Sequence, residues 1–188
     1  MGQRDRFAGQ FDTVLAAARL GEPLAMERIF TTLAPVVAGY LRVQGSVEPD
    51  DLTSDVFLGV LRNLDGFEGG EGEFRSWVFT IAHRRLLDER RRLARRPRGE
   101  PLSEAPEMVA AEDVELAVDR SMATQTVRSL CDRLVPDQRA VLLLRLVGQL
   151  TVDEVAASLG KTPGAVKALQ RRGFTAIARL LEREGVPL

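Results

Sequence analysis

Chemically versatile residues are scarce in this 188-residue chain, which has one cysteine, one histidine, one tryptophan and one tyrosine. A lone Cys131 excludes an internal disulfide and any cysteine cluster. His83 has no second histidine or cysteine to complete a metal site and reads as a structural residue. Neither these two nor Tyr40 stands with assembled catalytic partners, which argues against a nuclease, a recombinase or another enzyme. No catalytic residue, metal or cofactor is expected. No apolar run reads as reaching membrane-spanning length, and no signal peptide is visible at the start. The chain reads as a soluble, reduced, cytoplasmic protein. Aromatic residues make up only 5% while apolar residues reach 45%. With a bias to Ala, Leu, Arg and Glu, this points to all-α structure with real cores.

Net charge is also small, at −1, which naively argues against a nucleic-acid partner. The charge is segregated, however. From Arg84 to Arg98 eight arginines face only Asp88 and Glu89, a net of +6. Residues 100–120 carry seven acids against Arg120, a net of −6. From Lys161 to Arg183 six basic residues face Glu182 alone, a net of +5. Two basic blocks around an acidic one suggest two nucleic-acid-facing surfaces and a masking or self-repelling connector. That connector holds Pro101 and Pro106 and few large apolar residues, which is linker composition. The expected organisation is two small helical domains, residues 1–97 and 121–188, joined by a flexible acidic linker at 98–120.

Along the first domain, Phe11, Val14, Leu15 and Ala18 form one helical stripe, and Met26, Ile29, Phe30 and Leu33 another, with Gly21-Glu22-Pro23 as the turn between them. Val36, Val37, Tyr40 and Leu41 continue the second stripe past Pro35. The next helix opens with Pro49-Asp50-Asp51, acids suited to the positive end of a helix dipole. It is apolar on more than one side, through Leu52, Val56, Gly59 and Val60 and also Leu58 and Leu61. Such a helix wants two partners. Residues 66–73, GFEGGEGE, lack the Lys-Ser/Thr ending of a phosphate-cradling loop and read as a mobile, acid-bearing loop. From Phe74 an apolar start containing Trp77, Val78 and Ile81 gives way to arginines, as in a helix that leaves a core to follow a phosphate backbone. In the second domain Val127, Leu130 and Leu134 form a stripe, Cys131 is a small core residue, and VLLLRLV at 141–147 is the buried centre.

The densest signal is TVDEVAASLGKTPGAVKALQRR at 151–172. Thr151 and Glu154 predict a capping box, and Val152, Val155, Ala156 and Leu159 share a helical face. Gly160 is the left-handed stop, Thr162 the next cap, and Pro163 the first residue of a second helix. On that helix Val166, Leu169, Gly173 and Ile177 face inward. Gly164, Ala168, Arg171 and Thr175 lie opposite, flanked by Lys167 and Arg172. An apolar side to hold the helix and an outward side of small residues with Arg and Lys suit a helix-turn-helix entering the major groove.

Three blocks in order then resemble a known family, the extracytoplasmic-function sigma factors, which retain only sigma regions 2 and 4. PDDLTSDVFLGVLRNL is similar to the region 2 helix that grips core RNA polymerase. FRSWVFTIAHRRLLDERRR is similar to the stretch that melts and reads the −10 element, and residues 134–181 to region 4 with its −35 helix-turn-helix. The resemblance implies a factor that directs transcription initiation under anti-sigma control, with core polymerase, promoter DNA and an anti-sigma protein as partners. It places polymerase contacts on Asp50, Asp51, Leu52, Asp55, Val56 and Phe57. It places −10 contacts on the loop at Phe67, Glu68 and onward to Glu73, and on Arg75, Arg84, Arg85 and Arg91. It places −35 readout on Thr162, Gly164, Ala165, Lys167, Ala168, Arg171 and Arg172. Ser54 departs from the family's usual glutamine, and Arg85 from its asparagine. The alternative is a stand-alone helix-turn-helix regulator that never touches polymerase, which leaves residues 49–64 and the first arginine block unexplained.

Overall fold

The computed structural model describes residues 7–95 and 129–183, all of whose regular structure is helical. The expected linker at 98–120 and Val127 of the expected stripe lie outside the described residues. Helix α1 spans Phe11–Arg19 and α2 Pro23–Val43, and the turn between them passes through Gly21 at φ +81°. Helix α3 spans Pro49–Arg62, followed by a single 3₁₀ turn at Leu64–Gly66, and α4 spans Glu71–Arg95. At about 1.5 Å per residue α4 is roughly 37 Å long. A helical turn at residues 129–132 precedes α5 at Pro136–Leu146, α6 at Val152–Leu159 and α7 at Pro163–Arg183.

Prolines at the starts of α2, α3, α5 and α7 reflect one cause: the first turn of a helix has no use for its N–H groups, so proline costs nothing there. The glycine-rich loop is shorter than the sequence suggests, because α4 already begins at Glu71. The Glu73 carboxylate accepts from the Gly70 N–H at 3.1 Å, and acids in a first turn complement the helix dipole.

Helix α2 packs against α1, α3 and α4 and carries the centre of the first half. Ile29, Leu33, Val37, Tyr40 and Leu41 are buried there, with Val56, Val60, Phe74, Val78, Phe79 and Leu86 closing around them. By length and composition alone Pro23–Val43 is apolar enough to cross a membrane, which corrects the sequence expectation that no run reaches that length. Its Ala25, Ile29, Leu33, Val37 and Leu41 are buried in the core. Pro35 sits inside α2 on an exposed side.

In the second half α5 lies against α7, and α6 against α7. Val141, Leu144, Leu150, Val155 and Val166 are fully buried, as the 141–147 run predicts, although Leu146 is exposed. Cys131 is a buried free thiol, and burial pushes its pKa up. Two glycines are fixed by close approach. A Cβ on Gly173 would lie 2.8 Å from Leu142 Cδ1, so a side chain there would have to displace Leu142. A Cβ on Gly148 would lie 2.7 Å from the Leu144 carbonyl oxygen. The left-handed residue in that turn is Gln149, at φ +56°.

The two halves meet. Helix α6 packs on α4, and one continuous apolar core runs from Phe7 to Leu169. Ser158 of α6 is buried between Ser76 and Thr80 of α4, with Thr80 Oγ1 donating to Ser158 Oγ at 2.9 Å.

Candidate nucleic-acid and polymerase surfaces

The helix-turn-helix is built as its sequence dictates. Thr151 Oγ1 accepts from Glu154 N–H at 3.2 Å, and the Glu154 carboxylate accepts from Thr151 N–H at 2.6 Å, completing the capping box. Gly160 turns left-handed at φ +61°. Lys161 N–H then reaches back to the Ala156 carbonyl at 2.9 Å and Gly160 N–H to Ala157, the paired bonds of a Schellman stop. Thr162 Oγ1 accepts from Ala165 N–H at 3.2 Å and starts α7. Val166, Leu169 and Gly173 are buried, which fixes the rotation of α7. Thr162, Gly164, Lys167, Arg171 and Arg172 therefore face solvent, and Ala165 and Ala168 are half-buried beside them. Among the described residues Lys167 and Arg171 make no ion pair, whereas Lys161 is held by Asp137 at 2.7 Å. Two uncommitted cations over a small-residue floor are what a groove-reading helix needs.

A second surface lies along α4. A cleft of about 1130 Å³ has Phe67, Trp77, Thr80 and Arg84 on one wall and Asp153, Glu154 and Ala157 of α6 on the other. Phe67 stacks on Trp77 with ring centroids 5.3 Å apart at 27°, and meets Phe74 edge-on at 5.1 Å. Arg19 pins the loop by donating to the carbonyls of Leu64 and Phe67. A rigid aromatic wall beside an arginine can stack a base and hold its phosphate. Of the sequence-predicted −10 residues, Glu68, Arg84 and Arg91 are exposed and Arg85 is half-buried across Gly59. Arg91 pairs with Asp88 at 3.1 Å. Phe67 is largely buried by its own stack. Arg75 is only 6% exposed and turns inward to Glu71 at 3.8 Å, because its position on α4 falls on the core side. Trp77, Asn63 and Thr80 line the cleft although the motif reading did not assign them; the tryptophan beside a glycine loop was the available signal.

Behind the cleft, His83 is satisfied rather than reactive. Its Nδ1 lies 2.8 Å from the Tyr40 hydroxyl, which Gln44 approaches at 3.5 Å while Arg90 donates to the Gln44 carbonyl at 2.5 Å. Burial, aided by the Arg90 charge, holds the His83 pKa below its ordinary value, so the ring is neutral near pH 7. Burial also pushes the Tyr40 pKa well up, keeping its proton in the network.

The third surface is the outward side of α3. Asp50, Asp51, Ser54 and Asp55 are exposed at its start, and Leu58 and Leu61 continue the same side at 48% and 37% exposure. Asp50 is bridged by Arg42 at 3.0 Å, and Ser54 Oγ donates to the Asp50 carbonyl at 3.1 Å. A groove of about 500 Å³ opens between this turn and the end of α4, where Asp51 and Asp55 face Arg92 and Leu93. Leu52, Val56 and Phe57 are buried in the core and support this face from behind.

Comparison with known proteins places the chain in a family. The family model for sigma-70 region 2 matches residues 29–96, and that for sigma-70 region 4 matches residues 124–182. The ECF RNA polymerase sigma factor SigD of Mycobacterium tuberculosis is 30% identical over 173 residues, which covers 88% of this chain and 81% of that protein. The chain belongs to the sigma-70 family, in its extracytoplasmic-function group. BldN of Streptomyces coelicolor, another such sigma factor, is 33% identical over 170 residues, 87% of this chain and 63% of that one. Among solved structures, CnrH in complex with the cytosolic domain of CnrY aligns with a TM-score of 0.66 at 22% identity, covering 96% of this sigma factor and 99% of CnrH. RpoE of Bartonella quintana, in complex with the anti-sigma factor NepR, aligns at 0.63 and 20% identity, covering 83% and 96%. At these identities the two structures establish the shared helical fold. The region 2 match accounts for α3 and the arginine block of this sigma factor, which a stand-alone regulator leaves without purpose.

Proposed function

We propose that this sigma factor carries core RNA polymerase to promoters by reading two DNA elements, the −35 duplex with α7 and the −10 strand with the α4 cleft. The observation that carries the reading is that one chain presents both a capped, outward-facing cationic α7 and an aromatic-walled cleft beside Arg84. On α7, Arg171 and Lys167 approach base edges while Arg172, Thr162 and the first-turn backbone hold phosphates; Gly164, Ala165 and Ala168 leave room for the groove. At the cleft the Phe67–Trp77 stack supports an unstacked base, and Glu68, Arg84, Arg85 and Arg91 frame the strand. Melting needs no chemical nucleophile, because capture of extruded bases on aromatic faces holds DNA open. The function is therefore binding rather than catalysis, and it belongs in the cytoplasm with the polymerase.

Core polymerase meets the outward side of α3 through Asp50, Asp51 and Asp55, with Leu58 and Leu61 as its apolar continuation. The working division is residues 1–97 for polymerase and −10 binding, 98–120 as connector, and 121–188 for −35 binding. Control by an anti-sigma protein follows from the relatives, of which RpoE was solved with one bound.

The test is transcription in vitro with purified core polymerase and a genomic template library, mapping start sites. Discrete starts that appear only when this chain is added, with a shared sequence at −10 and −35, support the reading. Binding to DNA without any association with core polymerase overturns it.

A further inference from the structure

The family model for region 2 begins at residue 29, so α1 falls ahead of it. Yet α1 reaches the aromatic wall of the −10 cleft at two points. At its start, buried Phe11 lies against Phe74 with ring centroids 5.4 Å apart, and Phe7 packs on Phe11 at 5.4 Å. Phe74 in turn meets Phe67 at 5.1 Å and Trp77 at 5.7 Å. The wall is therefore the outer end of a chain of rings that begins at α1. At the other end of α1, Arg19 sends its guanidinium to residues 45 and 48 positions away in sequence. Its Nε donates to the Leu64 carbonyl at 3.4 Å, and its Nη2 to the Phe67 carbonyl.

The loop needs such a tether. The Leu64 carbonyl accepts from the Phe67 N–H at 3.2 Å, a bond local to the turn, and keeps a second lone pair for Arg19. Phe67 leaves the 3₁₀ turn extended, at φ −79° and ψ 132°, and Gly69 follows at φ +137°. With Gly69 and Gly70 next in the chain, the backbone beyond Phe67 has little stiffness of its own. Two donors on one planar fork fix both ends of the Leu64–Phe67 turn at once. Order in the free protein matters for capture: a wall in place only about a tenth of the time binds a base about tenfold more weakly.

We infer that α1 belongs to the −10 reading device: Arg19 is a positioning residue that holds Phe67 on Trp77, so the base-stacking wall stands ready before the strand arrives. The inference rests on the proposed −10 role of the cleft. Arg19 acts through the loop backbone rather than on DNA. Its loss therefore falls on strand opening and spares the −35 helix and the outward side of α3.

The test compares Arg19→Ala, Arg19→Lys and Phe67→Ala with wild type, each as the full chain bound to core polymerase. Arg19 is exposed, so its replacement takes nothing from the core. Transcription is measured from one mapped promoter, first as intact duplex and then with its −10 region pre-opened by mismatches. Arg19→Ala is expected to give about tenfold less transcript on the duplex, with much of the loss recovered on the pre-opened template and −35 duplex binding unchanged. Lysine offers a point charge in place of the fork, so Arg19→Lys is expected to recover part of the loss. Trp77, the only tryptophan, reads the wall directly. Its near-ultraviolet circular dichroism band is expected to weaken in Arg19→Ala while the far-ultraviolet helical signal is kept. Equal losses on the two templates make Arg19 merely structural and overturn the inference. So do wild-type opening by Arg19→Ala, no recovery by lysine, or an unchanged Trp77 band. If Phe67→Ala opens the duplex as well as wild type, the proposed −10 reading fails instead, and the Trp77 band still decides whether Arg19 sets the stack.

Discussion

Replacing glycine by alanine at two positions should move stability in opposite directions. Gly148 links α5 to the helix-turn-helix, and a methyl there meets the Leu144 carbonyl oxygen at 2.7 Å, Leu150 Cδ1 at 2.9 Å and Phe79 Cε2 at 3.3 Å. The first contact is backbone and cannot rotate away, so the turn itself must shift. Overpacking of that kind costs about 1–3 kcal/mol. Gly39 lies inside α2 with nothing within 4 Å of an added Cβ. There the methyl only restricts the unfolded chain and restores helix propensity, stabilising by about 0.5–1 kcal/mol. For a chain of this size about 1 kcal/mol moves the melting temperature by roughly 2–4 °C. Gly148→Ala is therefore expected to lower it by about 2–12 °C, and Gly39→Ala to raise it by about 1–4 °C. Thermal melts followed by circular dichroism at 222 nm measure both. Shifts of the same sign, or a Gly148→Ala protein as stable as wild type, would refute the packing argument.

Arg171→Ala should weaken −35 binding by about 1–3 kcal/mol and relax selectivity at one position if the side chain reads a base; equal weakening on every duplex in a titration would make it a phosphate contact. Asp51→Arg, at an exposed site on α3, should abolish association with core polymerase in a pull-down while leaving the helical circular dichroism unchanged, and retained association would remove the acidic face from the polymerase contact. The pKa of His83 is lowered in the fold, so the unfolded chain binds a proton more readily: its contribution is present above the ordinary value near 6.5 and is lost as pH falls below it. Urea melts from pH 7.5 to 5.5 should show a steeper loss for wild type than for His83→Gln, and parallel losses would contradict the burial argument.

Legibility in the sequence tracked the range of the interaction. The caps, the Gly160 stop and the inward face of α7 involve residues within a few positions of one another, and all were readable from spacing. The inward turn of Arg75 and the burial of Leu52, Val56 and Phe57 were not. A motif names positions in a row, while burial depends on which side of α3 and α4 meets α2. The apolar second side of α3, at Leu58 and Leu61, was visible as excess hydrophobicity, and the structure leaves it exposed. Least legible was the seat of α6 on α4. Ser76 and Ser158 are 82 residues apart, and a small hydroxyl on a helix carries no mark of what it touches.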